Sequence, residues 1–153
     1  MSTNYNRVIE IFREICAIPH GTYHIDSISD YLANFAKERG LSFVQDELKN
    51  VIIYKEATPG YENEPAVILQ GHMDMVAVSD DPNKDMLKEG LDVAKEGGYL
   101  FAKNTSLGGD DGIALAYALT ILDADDIRHP ALEAVFTVNE EVGMDGALGI
   151  DLS

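Results

Sequence analysis

Cysteine is almost missing from this 153-residue chain, with Cys16 standing alone. No disulfide can form within it, and a reducing compartment suits it. Cations are scarce too. Eleven Lys and Arg face 27 Asp and Glu, for a formal net charge of −16. Such a surface repels nucleic acid and anionic membranes, so neither is expected as a partner. No apolar run approaches the roughly 20 residues that span a bilayer. The opening, MSTNYNRVIEIF, lacks the basic-then-apolar order of an export signal. The expected location is the cytoplasm.

What the chain does contain suits a packed core, since 46% of its residues are hydrophobic. Its length suits one domain. Val8, Ile11, Phe12, Ile15 and Ile18 recur at helical spacing over residues 4 to 18, ending near Pro19. Cys16 falls within that apolar pattern and reads as core filler. A second helix is expected over residues 27 to 39, with Gly40 just past its end. Residues 42–45 and 51–55 read as strands around a turn at Lys49-Asn50. The run AVILQ at 66–70 reads as a strand buried on both faces. A small hairpin is expected around Gly97-Gly98, a helix over residues 112 to 122, and a strand in LEAVFTV at 132–138. Helices alternating with buried strands predict an α/β sandwich on a mixed sheet. His129, beside Pro130, reads as a surface residue.

Three clusters carry chemistry. His72-Met73-Asp74 follows the AVILQ strand. Residues two apart on a strand face the same way, so an imidazole and a carboxylate lie side by side. A carboxylate behind a metal-binding His fixes its tautomer. Gly108-Gly109-Asp110-Asp111-Gly112 opens the third helix, where a plain reading has Asp capping the first turn. Glu140-Glu141 ends LEAVFTV. If the strand continues there, the two glutamates point to opposite sides, one toward a metal and one over a water as general base. Each cluster alone has an ordinary explanation. Together they offer one imidazole and several carboxylates at the strand-end edge where open α/β sheets bind ligands, a donor set suited to zinc. His20 and His24 have no evident third ligand, and residues 81–85 read as a solvated loop.

GHMDMV, SLGGDDGIALAYAL and TVNEEVGMDGA, in that order, resemble the successive motifs of the di-zinc exopeptidases. The segments IFREICAIPHGT, ISDYLANFAKERGL and ATPGYENEPAVILQ are similar to the aminoacyl-histidine dipeptidase branch. The resemblance implies a three-layer α/β sandwich with a mixed, mostly parallel sheet, of the phosphorylase/hydrolase-like type. It implies two zinc ions, with cobalt or manganese as substitutes, and a small peptide, an Xaa-His dipeptide above all, as substrate. By the same resemblance His72 and Glu141 bind metal and Asp110 bridges the two ions. Asp74 orients His72, Glu140 is the general base, and the Asp110–Asp111 peptide is cis.

Two positions depart from that branch: Asp111 replaces its usual Asn, and His20 its usual Arg. The family also uses a further carboxylate, a distal His and a lid domain that often dimerises. With the sequence ending at Ser153, residues 1–153 are expected to be the N-terminal part of the catalytic domain, truncated and inactive alone. Weakly occupied metal sites are expected with it, and so is self-association into a homo-oligomer through uncovered strand edges. The alternatives are a tripeptidase or amide deacylase of the same superfamily, and a non-catalytic metal-binding or interaction module.

Overall fold

Helical periodicity organises the first part of the chain. In the computed structural model, which describes residues 3–151, α1 spans Thr3–Cys16 and α2 spans Asp26–Glu38. Ser153, the last residue of the range expected to form part of one domain, lies outside the described residues. α1 buries Val8, Ile11, Phe12, Ile15 and Cys16 along one stripe, as spacings of three and four require. Burial pushes the Cys16 thiol up to about 12, so it is a core side chain and no nucleophile at neutral pH. α2 buries Ile28, Leu32, Phe35 and Ala36. Gly40 follows it at φ +66, a left-handed angle that suits a residue without Cβ.

Strands β1 (Ser42–Gln45), β2 (Val51–Lys55), β3 (Val67–His72) and β6 (Leu132–Thr137) make one sheet in the order β1-β2-β6-β3. β4 (Val93–Glu96) and β5 (Tyr99–Ala102) form a separate hairpin. α3 (Gly109–Asp123) lies between β5 and β6 in sequence, and a short α4 spans Asp145–Gly149. The α/β class and the mixed sheet agree with expectation. Its mostly parallel character does not. β1 with β2 and β2 with β6 are antiparallel, and β3 with β6 supplies the parallel pairing among the described strands. A tight turn between β1 and β2 forces an antiparallel pair, whereas the long crossover through α3 permits a parallel one.

β3 corrects a second expectation. It is an edge strand, and Val67 and Ile68 are 42% and 60% exposed. A continuous apolar run matches a doubly buried strand, but the run cannot say which neighbours the chain provides. The cross-strand sets Val51–Phe136–Gly71 and Ile53–Ala134–Leu69 face the helices. The alternating sets contain Val44, Ile52, Tyr54, Val135 and Ile68. On this second face Val44, Tyr54 and Ile68 are exposed. Among the described residues the structure is thus two-layered, and the third layer implied by the resemblance is not among them.

Polar ties close the helical side. Asp123, at the end of α3, accepts from Arg7 Nε at 3.0 Å and Arg39 Nε at 2.6 Å, linking all three long helices. Desolvation pushes the Asp123 carboxyl up, but the two guanidinium groups outweigh it and hold the carboxyl below its ordinary value. Lys55 Nζ donates to the carbonyl oxygens of Ile121, Leu122 and Ala124 at 3.2, 2.9 and 2.7 Å. Carbonyls at a helix C-terminus lack their usual intrahelical partners, though Ile121 O also takes the Ala124 N–H at 3.4 Å. His129 proves buried rather than on the surface. Its N–H donates to Thr58 Oγ1 at 2.9 Å and its Nδ1 lies 2.7 Å from the Pro130 carbonyl oxygen.

Candidate metal centre

His72 closes β3, and its two ring nitrogens face different surroundings. Nδ1 lies 2.9 Å from the main-chain oxygen of Asp74 and 3.5 Å from the carboxylate Oδ1 of the same residue. Nε2 lies 3.2 Å from Asp110 Oδ1 and 3.9 Å from Glu140 Oε2. The Asp74 carboxylate is the largest cause that raises the ring to about 9, burial opposes it, and Asp110 adds to it. At 3.5 Å that carboxylate acts more through charge than through a directed hydrogen bond. The closest acceptor is therefore the Asp74 carbonyl, where the sequence suggests the side chain.

Asp74 itself is buried. Its Oδ2 accepts from the Thr22 hydroxyl at 2.9 Å and its Oδ1 from the Glu140 backbone N–H at 3.0 Å. Burial raises the carboxyl, but the nearby His72 ring and the bonds from the Glu140 N–H and the Thr22 hydroxyl prevail and hold it below its usual value. The loop after α1 is laced to this region. Met75 N donates to His20 O and Thr22 N to Met75 O, both at 3.1 Å. Tyr23 N donates to Asn139 Oδ1 at 2.9 Å. His20 is buried, with Nδ1 2.6 Å from Ile18 O, and its ring supports this loop.

The second cluster opens α3. The Asp110–Asp111 peptide is cis, as the resemblance implies. The Asp110 side chain is 91% exposed and projects toward His72. Asp110 and Asp111 have non-helical backbone angles, so the regular helix begins after them. The backbone N–H groups of His72 and Ala114 lie near the Asp111 carboxylate and favour its charged form. Burial nevertheless raises its carboxyl. Gly71 allows the close approach: a Cβ there would lie 3.0 Å from both Asp111 Oδ2 and Leu115 Cδ1.

The third cluster differs from the strand geometry expected of it. Asn139 adopts φ +52, which breaks the strand, and Glu140–Val142 form a 3-10 helix. The two glutamates are not splayed to opposite sides. Their ligand atoms and that of His72 lie within 4.8 Å of one another. The same limit holds for His72 with Asp110 and Asp111. These two groups, sharing one imidazole, are the metal-capable clusters found among the described residues. All five predicted site residues are thus gathered at one sheet edge, and a nitrogen and carboxylate donor set of this kind fits zinc.

No family model matches the chain. It is 40% identical over 142 residues to the cytosol non-specific dipeptidase of Escherichia coli K12, an alignment covering 92% of this chain and 29% of that protein. The solved aminoacylhistidine dipeptidase of Vibrio alginolyticus superposes with a TM-score of 0.91 at 37% identity. That superposition covers 95% of this chain and 30% of the other. The chain is a homologue of these dipeptidases. A tripeptidase from Staphylococcus aureus is also similar, with TM-score 0.77 and 26% identity over 95% of this chain and 39% of its own. The chain therefore spans under a third of the length of both dipeptidases.

The structure uses residues that sequence reasoning did not single out. Thr22 and Asn139 bind the loop after α1 to the site, and although each falls inside a motif segment, nothing in the sequence marks this role. Asn50, read as a turn residue, is buried. Its Nδ2 donates to Asp46 Oδ2 and Gly146 O at 2.7 and 3.1 Å, and its Oδ1 accepts from Val138 N at 3.1 Å. It thereby steadies the segment leading from β6 to the glutamates.

Proposed function

We propose that this chain is the N-terminal part of the catalytic domain of a cytoplasmic, zinc-dependent dipeptidase, with the lid and remaining ligands supplied by further sequence. One observation carries the reading. His72 meets Asp110 and Asp111 in one group and Glu140 and Glu141 in another, from three separate motifs. Homology to dipeptidases over 92% of the chain supports it. In this reading His72 and Glu141 would hold metal and Asp110 would be the carboxylate shared between two ions, with cobalt or manganese able to replace zinc. Bound metal supplies a Lewis acid that polarises the scissile carbonyl and makes water a stronger acid.

The chain's own residues do the rest. The Asp74 carbonyl, 2.9 Å from Nδ1, keeps the His72 ring turned so that Nε2 faces the cleft. Glu140, part-exposed and 3.9 Å from Nε2, takes the proton from water and passes it to the departing amine. The substrate is an unblocked dipeptide, including those that end in histidine. The likeness to a solved tripeptidase gives a second reading, in which a tripeptide is cleaved at the same centre.

Calorimetry tests the metal centre. The chain, stripped with chelator, is titrated with zinc beside His72→Ala and Glu141→Ala. Both substitutions should weaken binding by tenfold or more, roughly the scale for losing a ligand or its support. Equal zinc binding by His72→Ala would overturn the centre. Hydrolysis of Xaa-His dipeptides, tripeptides and N-acyl amino acids by a protein carrying this chain with its continuation separates the substrate readings.

A further inference from the structure

We infer that Thr22 is a positioning residue, whose hydroxyl holds the Asp74 carboxylate in the orientation that serves both His72 and the Glu140 main chain. The inference rests on reading the cleft as a metal centre. The Asp74 side chain is fully shielded from solvent, and an ionised carboxylate there must be met by donors. Its oxygens divide the work. Oδ1 takes the Glu140 N–H at 3.0 Å and lies 3.5 Å from His72 Nδ1. Oδ2 takes the Thr22 hydroxyl at 2.9 Å. The other acceptor within reach of that hydroxyl, Met75 O, is at 3.4 Å, so its single proton goes to the carboxylate.

A carboxylate turns easily about its last torsion, which is broad and nearly two-fold. Anchoring Oδ2 is what keeps Oδ1 under the Glu140 amide. Thr22 is itself anchored, because its N–H donates to Met75 O and the adjoining Tyr23 N–H is taken by Asn139. The hydroxyl thus joins three segments: the loop after α1, the end of β3 and the turn after β6. Glu140 enters its 3-10 turn from a left-handed Asn139, so the carboxylate beneath its amide sets where the general base stands.

The test uses the 153-residue chain with Thr22→Val, which keeps the shape, and Thr22→Ser, which keeps the hydroxyl. Two readouts are taken: the Glu140 amide in metal-free ¹H–¹⁵N spectra, and zinc affinity by chelator competition. Thr22→Val should move the Glu140 amide proton upfield, speed its exchange, and weaken zinc binding about tenfold, as when a partner behind a ligand is lost. Thr22→Ser should preserve all three. An unmoved Glu140 amide and unchanged affinity in Thr22→Val would overturn the inference, as would Thr22→Ser behaving like Thr22→Val. If Thr22→Val loses its dispersed spectrum, Thr22→Ala is read in the same way. If the unaltered chain binds no zinc, the metal reading falls, and the metal-free Glu140 amide still decides the role of Thr22.

Discussion

The two faces of the four-stranded sheet have had opposite treatment. Toward the helices, Val51, Ile53, Ala134 and Phe136 are wholly buried. On the other face Val44, Tyr54 and Ile68 stay open to solvent, although Ile52 and Val135 between them are buried. Hydrophobic stabilisation therefore comes chiefly from one side, and every long helix packs there. The comparison also locates the chemistry. The site lies at the strand-end edge, where β3, the start of α3 and the turn after β6 meet. Its geometry draws on the finished side, through Gly71 and Asp111, rather than on the open face.

Core truncation is the strongest way to break this comparison. Phe136→Ala should cost about 3–5 kcal/mol in urea unfolding, while Ile68→Ala should stay within about 0.5 kcal/mol. Similar losses from the two would mean that the faces are equally packed. A smaller effect concerns the ties between helices. Asp123→Asn should lose about 1 kcal/mol, the scale of a part-exposed ion pair, and its effect should depend on pH. The folded carboxyl sits below its ordinary value, so its contribution is present above the unfolded value of about 3.9. That contribution disappears as pH falls through the lower folded value. Unfolding midpoints of the two proteins between pH 6 and 2.5 should therefore converge in acid.

Asp111 sharpens the comparison on the helical side. Asp111→Ala removes the carboxylate beside the His72 and Ala114 amides at the start of the helix and should cost about 1 kcal/mol. Asp111→Asn keeps an acceptor oxygen and removes a carboxyl that burial disfavours, so thermal unfolding should show the smaller change. The least effect on stability is expected on the open side. Ile68→Lys should leave the unfolding midpoint nearly unchanged and reduce any self-association seen by sedimentation, since a charge on an edge strand opposes pairing. Unaltered association would place the contact elsewhere.

Much of this was legible along the chain. The stripe Val8, Ile11, Phe12, Ile15 marked α1, and LEAVFTV marked β6, because periodicity and composition are local properties. The residues of the site were legible as three clusters for the same reason: His72, Asp74, Asp110, Glu140 and Glu141 belong to short motifs. The exposure of Val67 and Ile68 is not legible in the sequence, because burial depends on what packs against a strand and an apolar run looks the same at an edge or at the centre. The placing of the glutamate pair is not legible either, because the strand ends before it and the left-handed Asn139 turns the chain into a 3-10 helix.

By itself, then, the order of residues determined the helices, the strands and the identity of the chemical groups, since each follows from spacing over a few positions. Tertiary structure decided which sheet face is covered, that both glutamates approach one imidazole, and that Thr22 reaches a carboxylate 52 positions away. Those outcomes depend on contacts between segments distant in sequence, which no local pattern encodes.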